Sequence, residues 1–311
     1  MAAAASAVAA LAEAAWASDS NPEEIAIKTY KANLEMRHYT LYIYICATLL
    51  LWFFPPQRIG AQCSIVNTAV QPGESLTYQL YFNWKFVWMK AGSAIWSTTT
   101  TTWNGKEAFQ SHLLTMTSGK VDKFFMMRDT LQSIISYDMV PWYYKKAANE
   151  GNKYYVDQLW YSYPEGKTAL RQEYLNRQGV KTYGQTMRPD CVYDMMSMMM
   201  RARSFDASKF KEGEKMEFPM ADGHKVEDIT LIYRGKRNFK MKSTGVTYRC
   251  LVFSFVEYDR KKENEIITFY ISDDKNHIPV RLDLFLKFGT AKAYLSKATG
   301  LRNPSTSIIE E

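Results

Sequence analysis

Asp190–Phe210 reads DCVYDMMSMMMRARSFDASKF, and it is the one strong helical pattern in a chain otherwise built of short alternating segments. Asp190 or Asp194 can cap its start, because a short carboxylate accepts hydrogen bonds from free backbone N–H groups and faces the positive end of the helix dipole. Met195, Met196, Met198, Met199 and Met200 are unbranched helix formers, and with Val192 and Ala202 they leave little polar surface before Arg201 and Arg203. A helix apolar on nearly every side has to be buried. The pattern predicts a buried methionine-rich helix over about 190–203, with a short second turn at Ala207–Phe210 stopped by Gly213.

The methionines admit three readings. They fill irregular space in a core, they line an adaptable pocket for an apolar ligand, or their soft sulfurs hold Cu(I). No histidine stands near them in sequence to favour a metal. For the pocket reading the candidate lining residues are Tyr193, Met195, Met196 and Met199, joined by Trp160 from an aromatic-rich stretch that also holds Trp142, Tyr143, Tyr144 and Tyr161.

On both sides of this helix the apolar residues recur every second position. Leu76, Tyr78, Leu80 and Phe82 would share one face of a strand, with Thr77, Gln79 and Tyr81 on the other. Ala94–Trp103 and Lys106–Thr117 flank Asn104-Gly105, the pair that a tight type I′ hairpin needs for positive φ. Further runs follow with short polar turns between them, so the neighbours are antiparallel. About a dozen such strands exceed what a flat open sheet tolerates, and the expected fold is mainly β: a large antiparallel barrel or half-barrel around the methionine helix.

The N-terminal residues do not belong to this pattern. Leu41–Phe54 is an uncharged apolar run of 14 residues, preceded by Arg37 and His38 and followed by Pro55, Pro56 and then Ile59-Gly60-Ala61. That is the layout of an export signal, too short for the roughly 20 apolar residues of a membrane span. The expected organisation is an upstream extension over 1–35, a signal peptide over 36–61 with an uncleaved anchor at 41–54 as the alternative, and one β domain over 62–311. Export to the periplasm or to the outer membrane follows. Cys63, just after the leader, also invites lipidation, although Gln62 is not the small residue that a lipoprotein signal places there.

An oxidising compartment leaves a Cys191–Cys250 bridge open, beside two buried free thiols. The net charge of +7 comes from lysines scattered through strands and turns, with no nucleic-acid footprint. His112, His224 and His277 are far apart, no zinc spacing appears, and there is no phosphate loop or nucleophile elbow. The sequence nominates no catalytic residue, metal ligand or cofactor.

Three blocks in order carry a resemblance: GESLTYQLYFNWKFVWMKAGSA from Gly73, VYDMMSMMMRARSFDASKFKEGEK from Val192, and FYISDDKNHIPVRLDLFLKFGTAKAYL from Phe269. Together they resemble the domain-of-unknown-function 3108 family, exported proteins of Bacteroides-like bacteria and relatives, over essentially Gly73–Asn303. The resemblance implies an envelope location and carries over no activity, cofactor or catalytic residue. The expected role is therefore a non-enzymatic envelope protein that cradles an apolar or glycolipid ligand. Alternatives are an envelope assembly protein acting through surface contacts and, third, an enzyme acting on envelope glycans.

Overall fold

In the computed structural model, which describes residues 63–84, 87–119, 121–123, 125–223, 225–259, 262–286 and 289–309, alternating segments pair in sequence order. The first eight strands are β1 (Ser75–Trp84), β2 (Val87–Trp103), β3 (Lys106–Thr117), β4 (Arg128–Ile135), β5 (Pro141–Glu150), β6 (Lys153–Ser162), β7 (Thr168–Asn176) and β8 (Lys181–Arg188). Helix α1 (Met195–Ala202) interrupts. The run resumes with β9 (Lys215–Asp222), β10 (Lys225–Lys240), β11 (Thr247–Asp259), β12 (Lys262–Ser272), β13 (Pro279–Leu286) and β14 (Gly289–Thr299), and a short β15 (Ile308–Ile309) pairs with β11. The leader expected at 36–61, its alternative anchor at 41–54 and the extension 1–35 lie outside the described residues, as does His224.

The fifteen strands among the described residues form one antiparallel sheet. The order runs from β8 back to β1, across to β14, and down to β9, so the β1–β14 pairing joins the two halves and β8 and β9 are left as unjoined ends. The sheet is an open half-barrel. Side chains lace the gap between its ends: Gln172 Nε2 donates to the Gly223 carbonyl at 2.7 Å, and Arg188 reaches Asp228 at 3.1 Å. Pro219 sits in the β9 end strand, where a missing N–H costs least.

Local chemistry explains the sharper features. Asn104 and Gly105 both take positive φ, +49° and +76°, which gives the two-residue turn between β2 and β3. Gly92 lies where β2 and β3 approach so closely that an added Cβ would stand 2.0 Å from the Met116 carbonyl oxygen.

Helix α1 is eight residues long, shorter than the 190–203 that composition suggests. Its start is set by Asp194, whose Oδ1 accepts from the Ser197 amide at 2.8 Å while Ser197 Oγ accepts from the Asp194 amide at 3.0 Å, a reciprocal capping box. Residues before it cannot be helical because Tyr193 bonds to β9: its amide donates to the Pro219 carbonyl and its carbonyl accepts from the Ala221 amide. Met196 and Met200 are fully buried among residues of the inner sheet face, including Leu76, Trp96, Leu131 and Leu159.

One end of the half-barrel is covered by the strap Cys63–Glu74. Ile65 donates to the Asp138 carbonyl in the β4–β5 turn, Thr68 to Ser204 beyond the helix, and Asn303 Nδ2 returns to the Thr68 carbonyl. The disulfide lies here and joins Cys63 to Cys191, with Cα atoms 5.4 Å apart. This corrects the Cys191–Cys250 pairing. Cys250 is a free buried thiol on β11, and the strap, not β11, brings a sulfur to Cys191. The Cys63 sulfur is thereby engaged, which removes it as a lipid attachment point in this structure.

Candidate functional site

The inner face of the sheet is hollow. Two apolar lobes share Leu113, Met199, Pro279, Leu282 and Leu284 as a common wall. The smaller, about 300 Å³, is walled by the helix residues Met195, Met198 and Met199 and by inward side chains of β9 to β13 such as Phe218, Leu231, Phe253 and Phe269. The larger, about 720 Å³, lies along β1 to β3 and β13 to β14, with Leu80, Phe82, Ala94, Trp96 and Ala291 in its wall. Volumes of this order are those of small-molecule sites, about 300–1,000 Å³.

Strand periodicity makes the lining apolar. Along β12, Ile267, Phe269 and Ile271 face the cavity, and along β13 Leu282, Leu284 and Leu286 do, while Tyr270, Arg281 and Asp283 point the other way. On that outer face Arg281 pairs with Asp283 and lies 4.6 Å above the Tyr270 ring.

The charged groups at the smaller lobe and at the far end of the larger one are already matched. Arg203 borders the smaller lobe, but its guanidinium is held bidentate by the buried Glu74, with Nη2 to Oε2 at 2.7 Å, and Nε donates to the Asn276 carbonyl at 3.0 Å. His277 Nδ1 lies 2.7 Å from the Arg203 carbonyl. The cation is therefore a structural one, and the lobe presents no unmatched charge to a ligand. At the far end of the larger lobe Glu150 is hydrogen-bonded to Asp129, whose carboxyl burial and the neighbouring acid push up to about 6. These two acids touch each other, whereas glycosidase carboxyls stand roughly 5 Å or more apart across a sugar. Among the described residues no cluster of three His, Cys, Asp or Glu side chains could hold a metal ion.

Behind the helix, Asp194 is buried and its carboxyl is pushed up to about 6, chiefly by loss of hydration. Ser133 and Tyr161 donate to its Oδ2 at 3.4 and 3.2 Å, which ties the cap of α1 to β4 and β6.

A model of the DUF3108 family, described as a protein of unknown function, matches residues 77–296. The chain belongs to the DUF3108 family. No curated protein matches it. Among solved structures this DUF3108 chain is similar to a β-barrel-like protein of the DUF1849 family from Brucella abortus, at TM-score 0.50 and 9% identity over 74% of this chain and 98% of that one. A protein from Bacteroides fragilis, titled as exported and YmcC-like in fold, aligns at TM-score 0.31 and 9% identity over 76% and 100%. The first likeness concerns the fold alone and agrees with the half-barrel.

Of the residues nominated from the DUF3108 sequence, Met195 and Met199 line the cavity. Met196 and Tyr193 are buried behind it, Met196 in the core and Tyr193 against β9. Trp160 lies on the opposite face of the sheet, tilted against Tyr143 with the Arg171 guanidinium 3.9 Å over its ring. Parity explains the miss, since Leu159 and Tyr161 on either side belong to the inner core. The missed lining residues include Met198, the inward phenylalanines and leucines of β9 to β13, and Leu80, Phe82 and Trp96 of β1 and β2, whose alternation was visible but whose separation from the opposite wall was not.

Proposed function

We propose that this protein is an exported, non-enzymatic binding protein that shelters the hydrocarbon part of an amphiphile inside the half-barrel. The observation that carries the reading is the two-lobed apolar cavity, because closely packed interiors leave few voids larger than a water molecule. A cavity of this size with an almost wholly apolar wall favours a greasy ligand. The lobes on either side of Met199 suit a lipid with two chains, and the thioether side chains of Met195, Met198 and Met199 can re-pack around chains of different length.

Export is supported by two features. The leader-like segment 36–61 precedes the domain, and the Cys63–Cys191 bridge suits an oxidising compartment. Native mass spectrometry of protein purified from its own envelope, followed by solvent extraction, tests the reading. A co-purifying lipid is the expected result, whereas ligand-free protein that also fails to take up added lipid would reject it.

A further inference from the structure

In this meander the C-terminal ends of the odd strands and the N-terminal ends of the even strands that follow them lie at the end opposite the strap. That end is also where the larger lobe opens, since Phe125 and Leu286 line it and are still 43% and 42% exposed. Beside this mouth, on the outer surface of four consecutive strands, Phe285, Thr290, Asn83 and Trp88 stand in one register row across β13, β14, β1 and β2. Phe285 is 41% exposed and Trp88 43%, and Val87 at the tip is 60% exposed. Rows alternate between faces, and the row two residues further from the mouth on the same surface holds Asp283, Lys292, Tyr81 and Lys90. Lys90 is exposed, and Lys292 lies 4.8 Å from the Trp88 ring and 3.7 Å from Asp283.

We propose that this rim, Val87, Trp88 and Phe285 backed by Lys90 and Lys292, is a docking surface for an anionic lipid bilayer, seated so that the cavity mouth meets the membrane. The layering is the argument. Aromatic side chains favour the headgroup level of a bilayer, and the exposed Lys90 behind them reaches lipid phosphate while its stem stays on apolar surface, with Lys292 holding the Trp88 ring in place. Anionic lipid attracts a lysine held near its surface, and salt screens that attraction. The proposal rests on the reading of the cavity as a lipid site, because a greasy chain leaving a bilayer needs a continuous apolar path.

The test is flotation of the full domain with vesicles of pure POPC and of equal parts POPC and POPG, alongside uptake of soluble cis-parinaric acid. Val87, Trp88 and Phe285 are not in the cavity wall, so a Val87→Ser/Trp88→Ser/Phe285→Ser variant separates the two readings. Expected are flotation with the anionic vesicles that weakens with salt, and loss of at least about tenfold in partition for the variant with its cis-parinaric uptake intact. Wild-type protein that takes up the probe but does not float, a variant that floats as well as wild type, or a rim that pairs two copies in solution would each overturn docking and leave the cavity reading standing. Floating protein that takes up no probe would instead overturn the cavity reading, and the docking with it.

Discussion

Replacing Cys63 and Cys191 by serine removes the covalent tie between the strap and the segment before α1. The bridge spans 128 residues of sequence, and the chain-entropy account of loop closure gives about 5 kcal/mol as its upper contribution through the unfolded state. The contacts around it use neither sulfur and are expected to survive its loss. Arg201 Nη1 donates to the Cys63 carbonyl at 2.5 Å and the Thr68 amide to Ser204 at 3.1 Å, so the folded state need not rearrange when the sulfurs are replaced. In a domain of this size each kcal/mol moves the melting midpoint by about 2–4 °C, which places the expected fall at roughly 10–20 °C. Circular dichroism melts of wild type with and without dithiothreitol, and of the double serine variant, measure it. Alkylation of the denatured, unreduced domain should label Cys250 alone among Cys63, Cys191 and Cys250. Unchanged melting on reduction, or labelling of Cys63 and Cys191, would refute the reasoning.

Two further perturbations probe the frame around the cavity. Arg203→Met leaves Glu74 buried without its partner and should cost about 3–5 kcal/mol in urea unfolding, while adding Glu74→Gln should recover part of that loss. Asp194→Asn tests the buried cap. Because the folded carboxyl is raised to about 6, the acid form is favoured in the native state, so its stabilisation is full below about pH 4 and is lost as pH rises through about 6. Wild type should therefore lose up to about 3 kcal/mol relative to Asp194→Asn between those limits, measured by urea titrations across the range. Parallel pH curves for the two proteins would show that Asp194 titrates normally.

The mainly β class, the antiparallel order and the β2–β3 turn were legible because period two and Asn104-Gly105 are local signals, while the count of about a dozen fell short of the fifteen strands among the described residues and missed β15. The helix start was ambiguous for a tertiary reason: Asp190 and Asp194 are equal caps in isolation, and only the use of Tyr193 by the β9 edge chooses between them. The disulfide was hidden because Cys63 is brought to Cys191 by a strap without regular structure, whose path depends on Asp138, Ser204 and Asn303. Lining residues followed the same division. Met195 and Met199 could be named from helix composition, whereas Trp160 required the parity of β6, and the hollow itself depends on the curl of the sheet, which no single strand encodes.

The central claim is that the hollow takes up hydrocarbon, and the most direct measurement is fluorescence titration of wild type and of Ala94→Trp/Ala291→Trp with cis-parinaric acid. Ala94 and Ala291 both face the larger lobe, and two indoles would occupy much of it. The account predicts saturable uptake by wild type and loss of at least about tenfold in affinity for the filled variant, with both proteins folded by circular dichroism. Absence of saturable uptake in wild type, or equal affinity in the filled variant, would contradict it.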